Sequence, residues 1–122
     1  MANKRRGTKD GQPLTPAVLH ILLALADGSK HGYGIMQEVE AISDGRVKMG
    51  PGTLYGSIKR MLAAGFIEET GDRPAPEFDD ERRRYYKLTG LGRRVLTEEA
   101  RRLSNLILVA RRKRLLGDVE SV

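Results

Sequence analysis

The carboxy-terminal quarter of the chain constrains its fold most. From about Leu91 to Leu116, the apolar residues Leu96, Ala100, Leu103, Ile107 and Ala110 recur at alternating spacings of four and three. This is the a/d heptad pattern of a helix that packs along a seam. At 1.5 Å per residue such a helix is roughly 40 Å long. Leu106, Leu108, Val109, Leu115 and Leu116 widen its apolar stripe. Residues 14–90 form too small a domain to cover a stripe of that length. The spacing therefore predicts a second copy of the chain lying against it, a homodimer held by this helix.

Three shorter helices precede it. In "LTPAVLHILLALADG", Thr15 is an N-cap, Pro16 suits the first helical position, and Leu14 can staple onto Leu19. Val18, Leu19, Ile21, Leu22, Leu23 and Leu25 surround this helix almost completely, which makes it the central one, ended by Asp27-Gly28. "HGYGIMQEVEAISDG" gives a second helix with Ile35, Met36, Val39 and Ile42 on one face. In "GPGTLYGSIKRMLAAG" Gly50 is a permissive N-cap, Pro51 opens the helix, and Gly65 stops it. Leu54, Ile58, Met61 and Leu62 are its apolar stripe.

"FIEET" and "RRRYYKLT" read as two short strands joined by the polar loop "GDRPAPEFDDE", a two-stranded wing, and Thr89 then caps the final helix. The predicted class is α+β, mainly α. Residues 1–13 form a basic arm, 14–90 a winged helix-turn-helix, 91–117 the dimerisation helix and 118–122 a tail.

The net charge of +6 is unevenly spread. Residues 1–10 carry a surplus of three positive charges and residues 93–122 a surplus of four, while residues 11–92 are close to neutral. Basic ends on a neutral body suit a polyanionic partner. The chain contains no cysteine, which removes disulfides and thiolate metal sites. The start "MANKRRGTKDGQ" has no hydrophobic segment behind its basic residues, and no apolar run reaches the roughly 20 residues of a membrane span. A cytoplasmic protein without a membrane partner is the expectation.

The glycine-rich "GPGTLYG" invites a nucleotide-binding reading, which its spacing rejects. A phosphate-cradling P-loop needs G-x-x-x-x-G-K-[ST]. Here Gly50 and Gly56 are one residue too far apart, and Ser57 stands where the lysine belongs. Neither His20 nor His31 pairs at metal-ligand spacing, and no nucleophile stands with a base. No cofactor and no enzymatic activity are expected.

Helix, helix, helix, strand, wing, strand, helix is the order of a winged helix-turn-helix, whose third helix enters the major groove of double-stranded DNA. Opposite its apolar stripe, that helix shows Thr53, Gly56, Lys59, Arg60 and Ala63, flanked by Tyr55 and Ser57. Lysine, arginine and hydroxyls are the side chains that reach phosphates and base edges. Lys4, Arg5 and Arg6 of the arm, and Arg82, Arg83 and Arg84 at the base of the wing, add phosphate-seeking charge. The wing tip itself holds Asp72, Glu77, Asp79, Asp80 and Glu81 against Arg73, so it is expected to stay off the DNA. A winged-helix module that binds protein rather than DNA is the competing reading.

"LTPAVLHILLAL", "HGYGI", "GPGTLYGSIKRM", "GFIEE" and "RRYYKLTGLGRRVL" together resemble the PadR-type transcriptional regulators, over residues 14 to about 105. The resemblance implies a homodimeric repressor, of the shorter type with one carboxy-terminal helix, that binds an inverted-repeat operator. It also implies a small-molecule effector, such as a phenolic acid or a drug. Thr53, Tyr55 and Lys59 match the family's recognition-helix motif, Tyr33 the tyrosine of the second helix, and Tyr85 and Tyr86 the wing-strand pair.

Overall fold

The computed structural model describes residues 13–73 and 83–117. Helix α1 (Pro16–Ala24) leads to strand β1 (Lys30–His31), helices α2 (Gly32–Ile42) and α3 (Pro51–Ala64), strands β2 (Ile67–Thr70) and β3 (Tyr85–Leu88), and helix α4 (Gly90–Arg112). This is a mainly helical winged helix-turn-helix with a small antiparallel sheet.

The helix ends follow local rules. Thr15 Oγ1 accepts the Val18 N–H at 3.2 Å, with Pro16 in the first turn of α1. The helix stops at Ala24, earlier than Asp27-Gly28, because Lys30 takes over its end: Nζ donates to the Ala24 carbonyl at 2.7 Å and to Asp27 Oδ1 at 2.8 Å. Gly50 and Pro51 open α3 as expected. At its other end Gly65 adopts φ 82°, a left-handed conformation that costs glycine little. The Gly65 N–H then reaches the Leu62 carbonyl and the Phe66 N–H the Met61 carbonyl, which completes a Schellman stop.

Ile21, Leu22, Leu25, Ile35, Val39, Leu54, Ile58, Met61 and Ile67 form the centre of the core. The apolar patterns over-reach at two places. Leu23 of α1 is 41% exposed and Ile42 of α2 45%, since each points away from the packed centre.

The two strands of the expected wing, β2 and β3, pair with each other, and a third strand extends the sheet. The strand order is β1-β3-β2. Lys30 and His31 pair with Tyr86 and Tyr85, while Ile67 to Thr70 pair with Leu88 to Tyr85. Two residues carry no alternating pattern, so β1 exists only through its partner β3.

Helix α4 is seated on the end of α3 by one threonine. Thr89 Oγ1 donates to the Gly65 carbonyl at 2.5 Å and accepts the Gly92 N–H at 3.0 Å; the Thr89 N–H reaches the Phe66 carbonyl at 3.0 Å. A β-carbon at residue 92 would overlap the Phe66 carbonyl, so only glycine allows α4 to lie this close. Gly92, Val95, Leu96 and Glu99 are the buried residues of α4.

Leu96, expected in the dimer seam, is therefore 6% exposed and belongs to the chain's own core. One heptad phase runs unbroken from core to surface, so periodicity could not separate them. Beyond Glu99, Ala100 is exposed, Leu103 and Ala110 are half-buried, and Ile107 is 46% exposed. α4 also ends at Arg112, short of Leu116. Arg114 turns left-handed at φ 64° and the Leu115 N–H closes back on the Ala110 carbonyl. The stop is made by a non-glycine residue, so no sequence signal marks it.

Candidate nucleic-acid interface

The outer side of α3 carries most of the expected contact residues. Thr53, Lys59, Arg60 and Ala63 are exposed, Tyr55 is 48% exposed, and Gly56 is half-buried between them. Ser57 is a correction. It is wholly buried, because position 57 lies only about 60° around the helix from Leu54, within the arc that faces the core. Its hydroxyl accepts from Arg60 Nη2 at 3.2 Å and is unavailable to a nucleic acid.

Helices α2 and α3 meet through an aromatic-glycine contact. A β-carbon on Gly32 would overlap the Tyr55 ring and hydroxyl, so the absence of a side chain at residue 32 is what lets Tyr55 lie across the start of α2. Tyr33, in the first turn of α2, is 55% exposed beside it. Between them a cleft of about 270 Å³ is lined by His31, Gly32, Tyr33, Tyr55, Arg83, Arg84 and Tyr86. The fold thus brings Tyr33, Tyr55, Arg83 and Arg84 to one place from three distant segments. Lys59 and Arg60 lie further along α3. Lys4, Arg5, Arg6 and Arg82, together with the acidic wing tip from Glu77 to Glu81 and the tail 118–122, fall outside the described residues.

Both wing arginines hold defined positions. Arg84 Nη1 lies 2.9 Å from Glu69 Oε2 across the sheet, and this carboxylate raises the guanidinium's pKa further. Arg83 Nη1 lies 2.8 Å from His31 Nε2, while the Arg83 carbonyl accepts from Arg73 Nη2 at 3.0 Å. The Arg73 guanidinium stacks over the Tyr85 ring, 4.9 Å from its centre. Tyr85 and Tyr86, buried at 6% and 5% exposure, face opposite sides of β3: Tyr86 joins the hydrophobic core, while Tyr85 lies edge-on to His31 beneath Arg73. Burial first, then the Glu69 carboxylate and Tyr55, raise the Tyr86 phenol above its ordinary value, while Arg84 opposes them. That phenol stays a neutral donor at physiological pH.

His31 is the residue that sequence reasoning passed over. It is the N-cap of α2, its Nδ1 accepting the Gly34 N–H at 3.1 Å. A neutral imidazole has one lone-pair nitrogen, so Nδ1 cannot accept from Gly34 while Nε2 accepts from Arg83. The two contacts compete, which ties the α2 cap to the wing base. His20, by contrast, is a half-buried histidine with Nδ1 2.7 Å from the Pro16 carbonyl. Among the described residues no group of His, Cys, Asp and Glu could hold a metal ion, and no helix is long and apolar enough to cross a membrane.

Residues 21–98 match the transcriptional regulator PadR-like family. Over 99 residues the chain is 38% identical to an uncharacterized 37.1 kDa protein in transposon TN4556 of Streptomyces fradiae, a match spanning 81% of this chain but 24% of that protein. It is 36% identical over 88 residues to the transcriptional regulator Rv3488 of Mycobacterium tuberculosis, covering 72% of this chain and 76% of the relative. The fold is similar to that of Bacillus subtilis PadR in complex with operator DNA, with a TM-score of 0.55 and 21% identity, over 66% of this chain and 44% of that one.

Proposed function

Since this chain belongs to the PadR-like family of transcriptional regulators, we propose that it is a homodimeric repressor that binds double-stranded DNA at an inverted-repeat operator. The observation that carries the reading is the exposed face of α3, where Thr53, Tyr55, Lys59 and Arg60 stand beside a cleft with Arg83 and Arg84 at its rim. A helix with such a face enters the major groove, and flanking arginines fix its register on the phosphates. The likeness to a PadR bound to operator DNA supports the DNA partner. The dimer is supported by the apolar half of α4, where Leu106, Ile107, Leu108 and Val109 are exposed in one chain. A small-molecule effector is carried by the family resemblance alone.

Selection of duplexes from a random pool, followed by anisotropy titration of Lys59→Ala and Arg60→Ala, tests this. A lost phosphate contact should lower the salt slope by about one, and a lost base contact should relax preference at one position. Unchanged binding by both variants at several salt concentrations would favour a protein-binding module instead.

A further inference from the structure

We propose that Ser57 positions the Arg60 guanidinium on the outer face of α3, and that Gly56 provides the lane in which it lies. This rests on the DNA-reading role proposed above and deepens it.

Ser57 is wholly buried, on the arc of α3 shared by Leu54, Ile58 and Met61, yet it bears a hydroxyl. Only Ser57 and Glu99 are buried polar or charged side chains among the described residues. Each is tied to the arginine three residues further on: Glu99 to Arg102, and Ser57 to Arg60. In α4 the pair joins two charges. In α3 a neutral oxygen holds a cation, which keeps its full charge for a partner.

The guanidinium's direction follows from two distances. Arg60 Nη2 donates to Ser57 Oγ at 3.2 Å, and a β-carbon built on Gly56 would stand 3.7 Å from Nη1. The side chain therefore folds back one turn, towards Thr53 and Tyr55, and lies along residue 56. A guanidinium has five N–H donors in a planar fork. Ser57 engages one side of it and leaves the rest for an acceptor. A fork held at one edge presents a fixed pair of donors, the arrangement that reads two acceptors at once, whether O6 and N7 of guanine or two phosphate oxygens. An alanine at residue 57 would suit the core and the helix better. The hydroxyl is explained by what it does for Arg60.

The test uses the full chain and a duplex that the wild type selects from a random pool. Wild type, Ser57→Ala, Arg60→Ala, the double variant and Gly56→Leu are titrated by anisotropy at fixed salt, with thermal melts and sedimentation of each. Ser57→Ala should bind about three- to tenfold more weakly, the worth of one hydrogen bond. It should lose preference at the same base as Arg60→Ala, while melting and sedimenting as wild type. In the Arg60→Ala background the Ser57 substitution should change binding less than about twofold, since coupled residues do not add. Gly56→Leu, whose β-carbon would have only Arg60 Nη1 within 4 Å, puts a side chain in the lane and should behave like Arg60→Ala. An equal loss from Ser57→Ala in both backgrounds, or wild-type affinity in Ser57→Ala, overturns the proposal and leaves the DNA reading standing. Should Ser57→Ala unfold, wild-type binding by Gly56→Leu overturns it alone. A wild type that enriches no duplex removes the DNA reading and this inference together.

Discussion

Replacing Gly92 by alanine tests whether the contact between α3 and α4 holds the domain together. The added β-carbon would overlap the Phe66 carbonyl, a backbone group fixed by the Schellman stop of α3 and by the Thr89 N–H. A flexible side chain could swing aside; this carbonyl cannot, so α4 must lift. Lifting breaks the Thr89 N–H bond to Phe66 and disturbs the Thr89 cap, each worth about 1 kcal/mol. It also opens Val95 and Leu96, now 9% and 6% exposed, for roughly 1–2 kcal/mol more. Alanine regains about 1 kcal/mol of helix propensity. The net loss is about 2–3 kcal/mol, or roughly 10 °C or more in melting temperature for a domain of this size. Circular dichroism melts at one fixed protein concentration measure it, because the proposed dimerisation would make the midpoint concentration-dependent. Gly90→Ala is the control, since nothing lies within 4 Å of its β-carbon. If Gly92→Ala melts with or above the wild type, the steric argument is wrong.

Two further predictions concern α4. Arg102 holds the Glu99 carboxyl below the usual carboxylate range, against the effect of burial, with help from the Leu14 backbone. A depressed folded-state pKa gives stability that is present above the unfolded value of about 4.3 and is lost as pH falls through the folded one. Glu99→Gln should therefore cost on the order of 1 kcal/mol in urea unfolding at pH 7 and little at pH 3, with Arg102's partial exposure limiting the size; equal costs at both pH values would exclude the ion pair as the cause. Leu103→Glu with Ile107→Glu places charges among the half-buried and exposed apolar groups of the proposed seam, so sedimentation should show monomers or insoluble chains; a persisting dimer would place the interface elsewhere.

The sequence made α3 readable because its signals are local: a proline in the first turn and a glycine whose left-handed turn ends the helix act within a few residues of themselves. The cleft was partly readable. Tyr33, Tyr55, Arg83 and Arg84 could each be named, but what joins them is the Gly32–Tyr55 crossing and strand β1, both of which exist only when distant segments meet. Ser57 misled because its chemistry is polar while its place on the helix is apolar. Leu96 misled for the opposite reason, since an apolar residue in a perfect heptad serves a core and a seam equally well.

Thr89 couples the end of α3 to the start of α4. Its hydroxyl and amide join the carbonyls of Gly65 and Phe66, at the α3 stop, to the first turn of α4, so the element that would read DNA is tied to the element that would meet the partner. In a dimer joined through α4, a tilt of about 10° between the two α4 helices would sweep a point about 20 Å away by about 3.5 Å. That is close to the roughly 3.4 Å advance of a DNA strand per nucleotide. A molecule that altered only how the two α4 helices cross would thus move both reading heads out of step with their half-sites, without touching either one.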